Sequence, residues 1–217
     1  MTESEYILLA ENGWTEFNSG SSDSELISIA SEIGEILKHP NGEDVFLLKP
    51  KSVNESLLGT FSNKHGLQEF PLHTDTAFYN IPARFILMHS ANSNSCDTTI
   101  LRKSDFWYQL TDAEKKMAKR AIYLVKTNRE RFYTSFIFKE NNEYGLKYDP
   151  SCMLPYNKFA KDFDQILQRV ISGIEPKKIK WTEGKTVIID NWKTLHGRKS
   201  AEKDTTRMLK RIYINQL

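Results

Sequence analysis

Apolar and polar positions along this chain switch between a helical and an extended rhythm. In residues 21–40, Leu26, Ile29, Ile33 and Leu37 recur three or four apart, the spacing of one helix face. Ser22 with Glu25 reads as a capping box at the start of that helix, and Pro40 ends it. His39 then falls at the helix C-terminus, where the dipole favours it. Thr111 and Glu114 predict the cap of a second helix running through Arg120, and Phe159, Phe163, Ile166, Leu167 and Val170 mark a third, stopped near Gly173. Between them lie the strand-like runs DVFLLK, RFILMHS, AIYLVK, RFYTSFIF, YGLKYD, KTVIID and RMLKRIYI. Strands dominate the second half and are not spaced by helices as βαβ units require. The predicted class is mainly β (α+β): an antiparallel sandwich or jelly roll with helices packed outside.

Composition narrows the function. The 217 residues contain no repeat, low-complexity tract or long linker, so a single domain over 1–217 is expected. The net charge is +2, unevenly spread. Residues 1–37 carry eight acids and no Lys or Arg, and residues 177–211 carry eleven basic residues against four acids. A solvated basic face accounts for that excess, with an anionic small molecule as the functional alternative. No Lys/Arg run interleaves with aromatics, so nucleic acid is not an expected partner. Apolar runs are too short to span a bilayer, no signal peptide is apparent, and no membrane partner is expected. Cys96 and Cys152 form no CxxC and no disulfide framework, which makes a reducing cytoplasm the expected location. The Asn54-Glu55-Ser56 sequon is then without consequence.

Four features carry chemistry. In FPLHTDTAF (70–78), His73 and Asp75 stand two apart, which on a strand aims both at one face. In KTVIIDNWKTLHGR (185–198), a core strand and a polar break at Asp190-Asn191 precede His196. In TTRMLKRIYI (205–214), period-2 alternation puts Arg207, Leu209, Arg211 and Tyr213 on one face. CDTTILRKSDF (96–106) offers the hydroxyls of Thr98 and Thr99 at the start of a loop or short strand; neighbours face opposite ways, so either could serve. Two imidazoles and one carboxylate form the facial triad of non-haem ferrous oxygenases, which leaves three coordination positions open. A guanidinium supplies the planar fork that matches a carboxylate. His65 and His89 read as structural.

With these residues the chain resembles a short member of the taurine dioxygenase and clavaminate-synthase-like family of Fe(II)/2-oxoglutarate oxygenases. The family pattern is His-x-Asp, a distal His, an Arg about a dozen residues later and often another beyond it; here these are His73, Asp75, His196, Arg207 and Arg211. DNWKTLHGR resembles the family signature at the distal histidine, and the Pro82 to Leu87 stretch resembles the segment just downstream of the family's His-x-Asp. The match runs from about Phe70 to Leu217, with 105–180 carried by element order. The resemblance implies a double-stranded β-helix jelly roll. It implies metal ligation by His73, Asp75 and His196, with Fe(II), 2-oxoglutarate as co-substrate and O2. Arg207, helped by Thr98 of the Asp97-Thr98 step, would grip the distal carboxylate of 2-oxoglutarate. Arg211 would face the other end of the co-substrate or an anionic group of the substrate. Asp75 separates the chain from halogenating relatives, which lack that carboxylate.

The implied reaction is oxidation of a C–H bond in a small metabolite, with hydroxylation leading and desaturation or cyclisation open to the same chemistry. Amino acids, amino-acid-like metabolites and natural-product intermediates are the substrate classes. Positions near the motifs make Gln68, Glu69, Phe78, Tyr79, Arg129, Arg131, Tyr148 and Asp149 candidate lining residues. The chain is short for the family, so long lid insertions are expected to be missing. Two rivals stand beside this reading: a non-catalytic jelly roll binding a small carboxylate, and a metal hydrolase on a cupin-like barrel, which would need neither the Arg207 fork nor 2-oxoglutarate.

Overall fold

Two antiparallel sheets face each other across the metal-ligand candidates in the computed structural model, which describes residues 1–58 and 60–215. The chain enters through α1 (Glu3–Asn12), β1 (Trp14–Asn18), α2 (Asp23–Ile33), β2 (Glu35–Leu37), β3 (Phe46–Leu48) and the short α3 (Phe61–His65). It continues through β4 (Phe70–His73), β5 (Phe85–Ser90) and β6 (Asn94–Arg102). An excursion comes next: α4 (Lys103–Trp107), α5 (Asp112–Arg120), β7 (Ile122–Lys126), β8 (Arg131–Ser135), β9 (Ile137–Glu140), β10 (Glu143–Leu146), β11 (Met153–Pro155) and α6 (Lys158–Ser172). The return is β12 (Lys177–Trp181), β13 (Lys185–Asp190), β14 (Thr194–Arg198) and β15 (Leu209–Asn215).

One sheet runs β1-β13-β5-β15-β2, with β3 also on β15, and the other runs β12-β6-β14-β4. This is the jelly roll the sequence predicts. Between the sheets pack Ile86, Met88, Ile100, Ile179, Trp181, Val187, Ile189, Leu209 and Tyr213. On the outer face of the larger sheet, Leu87, Ile188, Ile212 and Ile214 pack under Leu9 of α1 and Leu26 and Ala30 of α2. The central strands are therefore buried on both faces, which is why their sequences read as continuous apolar runs. The excursion has its own core around Tyr123, Phe136, Tyr148, Phe163 and Leu167.

The helices capped by Thr111 and stopped by Gly173 form as predicted. The first differs. Ser22 and Glu25 do make the capping box, but the helix stops at Ile33, not beside Pro40. At Gly34 the backbone turns to run beside β15, where a Cβ would collide with the Asn215 carbonyl. Leu37 consequently sits in β2 opposite Tyr213, and His39 is not a helix terminus at all. The Asn94–Arg102 segment is a full nine-residue strand, and α1, α3 and β12 are elements the periodicity did not announce. Among the described residues no helix is long and apolar enough to cross a membrane, and both cysteines are buried free thiols.

Just past β10, Lys147 is fully buried, donates to the Asn80 carbonyl at 2.9 Å and lies 4.9 Å from the Phe132 ring centroid. Burial pushes its pKa down to about 8. An unfolded lysine titrates near 10.4, so between these values the unfolded chain binds the extra proton and stability rises with pH. Lys147→Met removes that linkage. Urea unfolding at pH 7 and pH 10 is expected to show the parent gaining on the variant at the higher pH; a constant gap would contradict this.

Candidate metal centre and anion pocket

β4 and β14 pair antiparallel with His73 directly opposite His196, which sets their ring centroids 4.6 Å apart. β4 ends at His73, so Asp75 reaches the same space through a turn and not as the second residue along a strand face. Thr74 leads the turn, its N–H donating to the Tyr148 carbonyl at 2.7 Å. Asp75 Oδ1 then lies 3.4 Å from His73 Nε2 and 3.7 Å from His196 Nε2. The candidate ligand atoms of the three residues all lie within 4.8 Å of one another, and all three side chains are buried.

The turn is held from several sides. Asn191, a polar break in the sequence pattern, is fully buried under it. Its Oδ1 accepts the Asp75 N–H at 2.9 Å, and its Nδ2 donates to the carbonyls of Asp75 and Ala83 at 3.0 and 2.9 Å. Thr76 sits at φ 56°, a strained conformation for a β-branched residue. Its hydroxyl bonds to the Asp75 carbonyl and accepts the Ala83 N–H at 2.8 Å, which keeps it there. Asp190 anchors the other end, bonded to Arg84 and to the N–H groups of Trp192 and Lys193.

The donor set fits a divalent metal. His73 Nδ1–H donates to the Pro71 carbonyl at 2.8 Å, which fixes the tautomer and leaves the Nε2 lone pair facing Asp75. Burial raises the Asp75 pKa, but the Arg211 guanidinium and the two imidazoles outweigh it and hold the carboxyl well below the usual range. Burial lowers His196, whereas the bond and charge of Asp75 carry His73 above its ordinary value despite its burial. Bonds of about 2.1 Å place neighbouring donors about 3 Å apart, so a metal would draw these three groups closer together than they stand here. A carboxylate with two imidazoles suits ferrous iron and keeps positions open.

Beside this centre is a buried cation with no acid partner among the described residues. Arg207, 6 % exposed, bonds only to neutral oxygens: Nε to the Cys96 carbonyl at 3.3 Å and Nη2 to Thr98 Oγ1 at 3.2 Å. Desolvation pushes its pKa down to about 10. Thr98 Oγ1 also accepts Trp181 Nε1–H at 3.0 Å. Two obligate donors occupy its lone pairs, so its own O–H is left to donate. Thr99 points to the other face of β6, towards Gly197. Arg211 is placed differently, its Nη1 donating to Asp75 Oδ2 at 2.8 Å.

A cavity of about 530 Å³ opens over these groups, lined by His73, Asp75, His196, Thr98, Arg207 and Arg211. Of the candidate lining residues, Phe78, Arg129 and Asp149 line it. Gln68 and Glu69 instead pair with Glu202 and Lys199, and Tyr148 is buried in the core of the excursion. The segment before β4 also lines the cavity, through Phe46, Leu48, Leu57, Thr60 and Phe61. His39, 3 % exposed, lines it too, its ring tilted against that of Tyr213 with centroids 4.3 Å apart and its Nε2–H donating to the Arg211 carbonyl at 3.1 Å. Trp181 and Asn191 are the residues that sequence reasoning missed. The Ile179/Trp181 alternation was a usable signal for the first; the polar break at Asp190-Asn191 marked the position of the second but not its role.

Residues 107–213 match the family described as taurine catabolism dioxygenase TauD, TfdA family. No curated protein matches by sequence. Among solved structures, an asparagine oxygenase in complex with Fe(II), 2S,3S-3-hydroxyasparagine and succinate aligns at TM-score 0.77 and 15% identity, over 98% of this chain and 78% of that one. The non-heme iron oxygenase OrfP in complex with Fe and alpha-ketoglutaric acid aligns at 0.73 and 16%, over 98% and 77%. PvcB from Pseudomonas aeruginosa aligns at 0.71 and 17%, over 96% and 78%. At these identities the likeness speaks for the fold.

Asn191→Ala would strand the Asp75 N–H and the Ala83 carbonyl in a buried turn, at about 1–3 kcal/mol for each group left unsatisfied, while the Asp75 carbonyl keeps the Thr76 hydroxyl. A clear loss of stability by urea unfolding is expected, with weaker Co(II) binding by the folded fraction. An unchanged midpoint would show that the turn holds without it.

Proposed function

We propose that the chain is a member of the taurine catabolism dioxygenase TauD, TfdA family, whose model matches residues 107–213, and that it is an Fe(II)- and 2-oxoglutarate-dependent dioxygenase that hydroxylates a C–H bond of a small metabolite. The balance is C–H plus O2 plus 2-oxoglutarate giving C–OH, succinate and CO2. His73, Asp75 and His196 would hold the iron, which when bound supplies the redox centre for that chemistry. Arg207 and Thr98 would bind the distal carboxylate of 2-oxoglutarate and so orient its keto-acid end towards the triad. The cavity's Phe46, Phe61, Phe78 and Met88 would exclude water around the substrate. We read residues 1–217 as one domain, acting in the cytoplasm in keeping with two free thiols.

One observation carries this reading. Arg207 is a buried guanidinium with no carboxylate partner among the described residues, beside a threonine whose O–H is free to donate, at the wall of a cavity that also holds the triad. A small dicarboxylate would answer both demands. Amino acids are the favoured substrate class. The asparagine oxygenase holds hydroxyasparagine and OrfP holds (3S)-hydroxy-L-Arg, and a cavity of about 530 Å³ accommodates molecules of that size.

Anaerobic addition of Fe(II) and 2-oxoglutarate is expected to produce a visible charge-transfer band, and a substrate screen to give succinate with a product heavier by one oxygen. A protein that binds 2-oxoglutarate but gives neither band nor succinate would be a carboxylate-binding jelly roll instead. Activity with zinc alone would favour a hydrolase.

Arg207→Met removes one partner of a desolvated ion pair, at about 2–5 kcal/mol, or tens- to thousands-fold in affinity. The 2-oxoglutarate concentration at half-maximal band intensity should rise by that factor. An unchanged requirement would remove Arg207 from the co-substrate site.

A further inference from the structure

Asp75 has two oxygens in different surroundings. Oδ1 faces both imidazoles, at 3.4 and 3.7 Å. Oδ2 faces away from them and accepts Arg211 Nη1 at 2.8 Å. Arg211 is itself fixed on several sides. Its backbone lies in the middle of β15, in register with Met88 of β5 on one side and Phe46 of β3 on the other. Its guanidinium carbon lies 4.5 Å from the Tyr213 ring centroid and 5.8 Å from that of Phe46. Its carbonyl accepts the His39 Nε2–H.

We infer that Arg211 is the positioning residue of the metal centre: by holding Oδ2, it presents Asp75 to the metal through Oδ1 alone. The inference rests on the metal assignment to His73, Asp75 and His196. A carboxylate free to rotate could offer both oxygens to the metal, and each oxygen added takes a position that a chelating co-substrate and O2 need. A lysine could supply the charge but not the planar fork aimed at one oxygen. The role differs from mere neutralisation of a buried carboxylate, and the two have opposite consequences. If Arg211 only neutralised Asp75, its removal would take a positive charge away from a cation site and tighten metal binding. If it positions Asp75, its removal weakens binding and changes the coordination.

Titration with Co(II) chloride, monitored by calorimetry and by the visible ligand-field spectrum, separates these without any turnover. The parent is expected to bind one Co(II). Arg211→Met should bind it about 10–100-fold more weakly, the usual cost of losing a group that orients a metal ligand, with an altered band shape. Arg211→Lys keeps the charge and should fall between them. Equal or tighter binding by Arg211→Met with the parent's spectrum would overturn the inference. Should the Met variant fail to fold, as judged by circular dichroism, a folded Lys variant indistinguishable from the parent would overturn it just as well. A parent that binds no Co(II) would instead bring down the metal assignment on which the inference stands.

Discussion

The pairing of β4 with β14 is the constraint on which the site depends. It sets His73 opposite His196 and so brings two residues 123 positions apart in sequence into register. The pairing is tight because position 197 is glycine. A Cβ there would stand 2.7 Å from the Phe70 carbonyl and 2.9 Å from Thr99 Oγ1, closer than side chains tolerate. The strands are also clamped outside the ladder. Arg198 stacks 3.6 Å from the Phe70 ring centroid and donates to the carbonyls of Gly66 and Gln68. One glycine and one arginine flanking the metal-ligand candidate thus fix both the approach and the angle of its partner strand.

Charge is distributed unevenly across the cavity. Asp75 is matched by Arg211 and by two imidazoles that would themselves bind a cation. Arg207, by contrast, bonds only to neutral oxygens among the described residues. Burying a guanidinium without a counter-ion costs folding free energy, and such groups are retained where a ligand supplies the missing charge. Arg207 lies two residues before β15 and Arg211 within it, so the two do not share one strand face as the alternation predicts, and their surroundings give them different partners: an open cavity for the first and a protein carboxylate for the second.

How much of this was legible in the sequence depended on whether a residue's partner was local. The capping boxes at Ser22 and Thr111 need only residues three apart, and both form. His73, Asp75, His196 and Arg207 stood out because their residue types in that order fit one chemistry. Leu37 and His39 were misplaced because the helical spacing of apolar residues continues past Ile33, while the close approach of Gly34 to β15, where the helix ends, is tertiary. In β12, Lys177, Lys178 and Lys180 were counted as basic surface. They are, but the same strand turns Ile179 and Trp181 inward, and Trp181 reaches Thr98. The choice between Thr98 and Thr99 could not come from their own stretch, since it is the register of β6 with β14 that decides which faces the cavity.

The burial of the central strands on both faces connects the periphery of the molecule to its site. In β15, Arg211 and Tyr213 point into the cavity while Ile212 and Ile214 pack outward against the core under α1 and α2. In β13, Val187 and Ile189 face inward, Ile188 outward, and the strand then delivers Asp190 and Asn191 to the turn that carries Asp75. A strand packed on both faces cannot slip by one residue, because every side chain would exchange faces. The N-terminal helices, which contribute no residue to the cavity lining, therefore act on the chemistry through register: they hold β13 and β15 at the settings that place Asn191 under the Asp75 turn and Arg211 against its carboxylate.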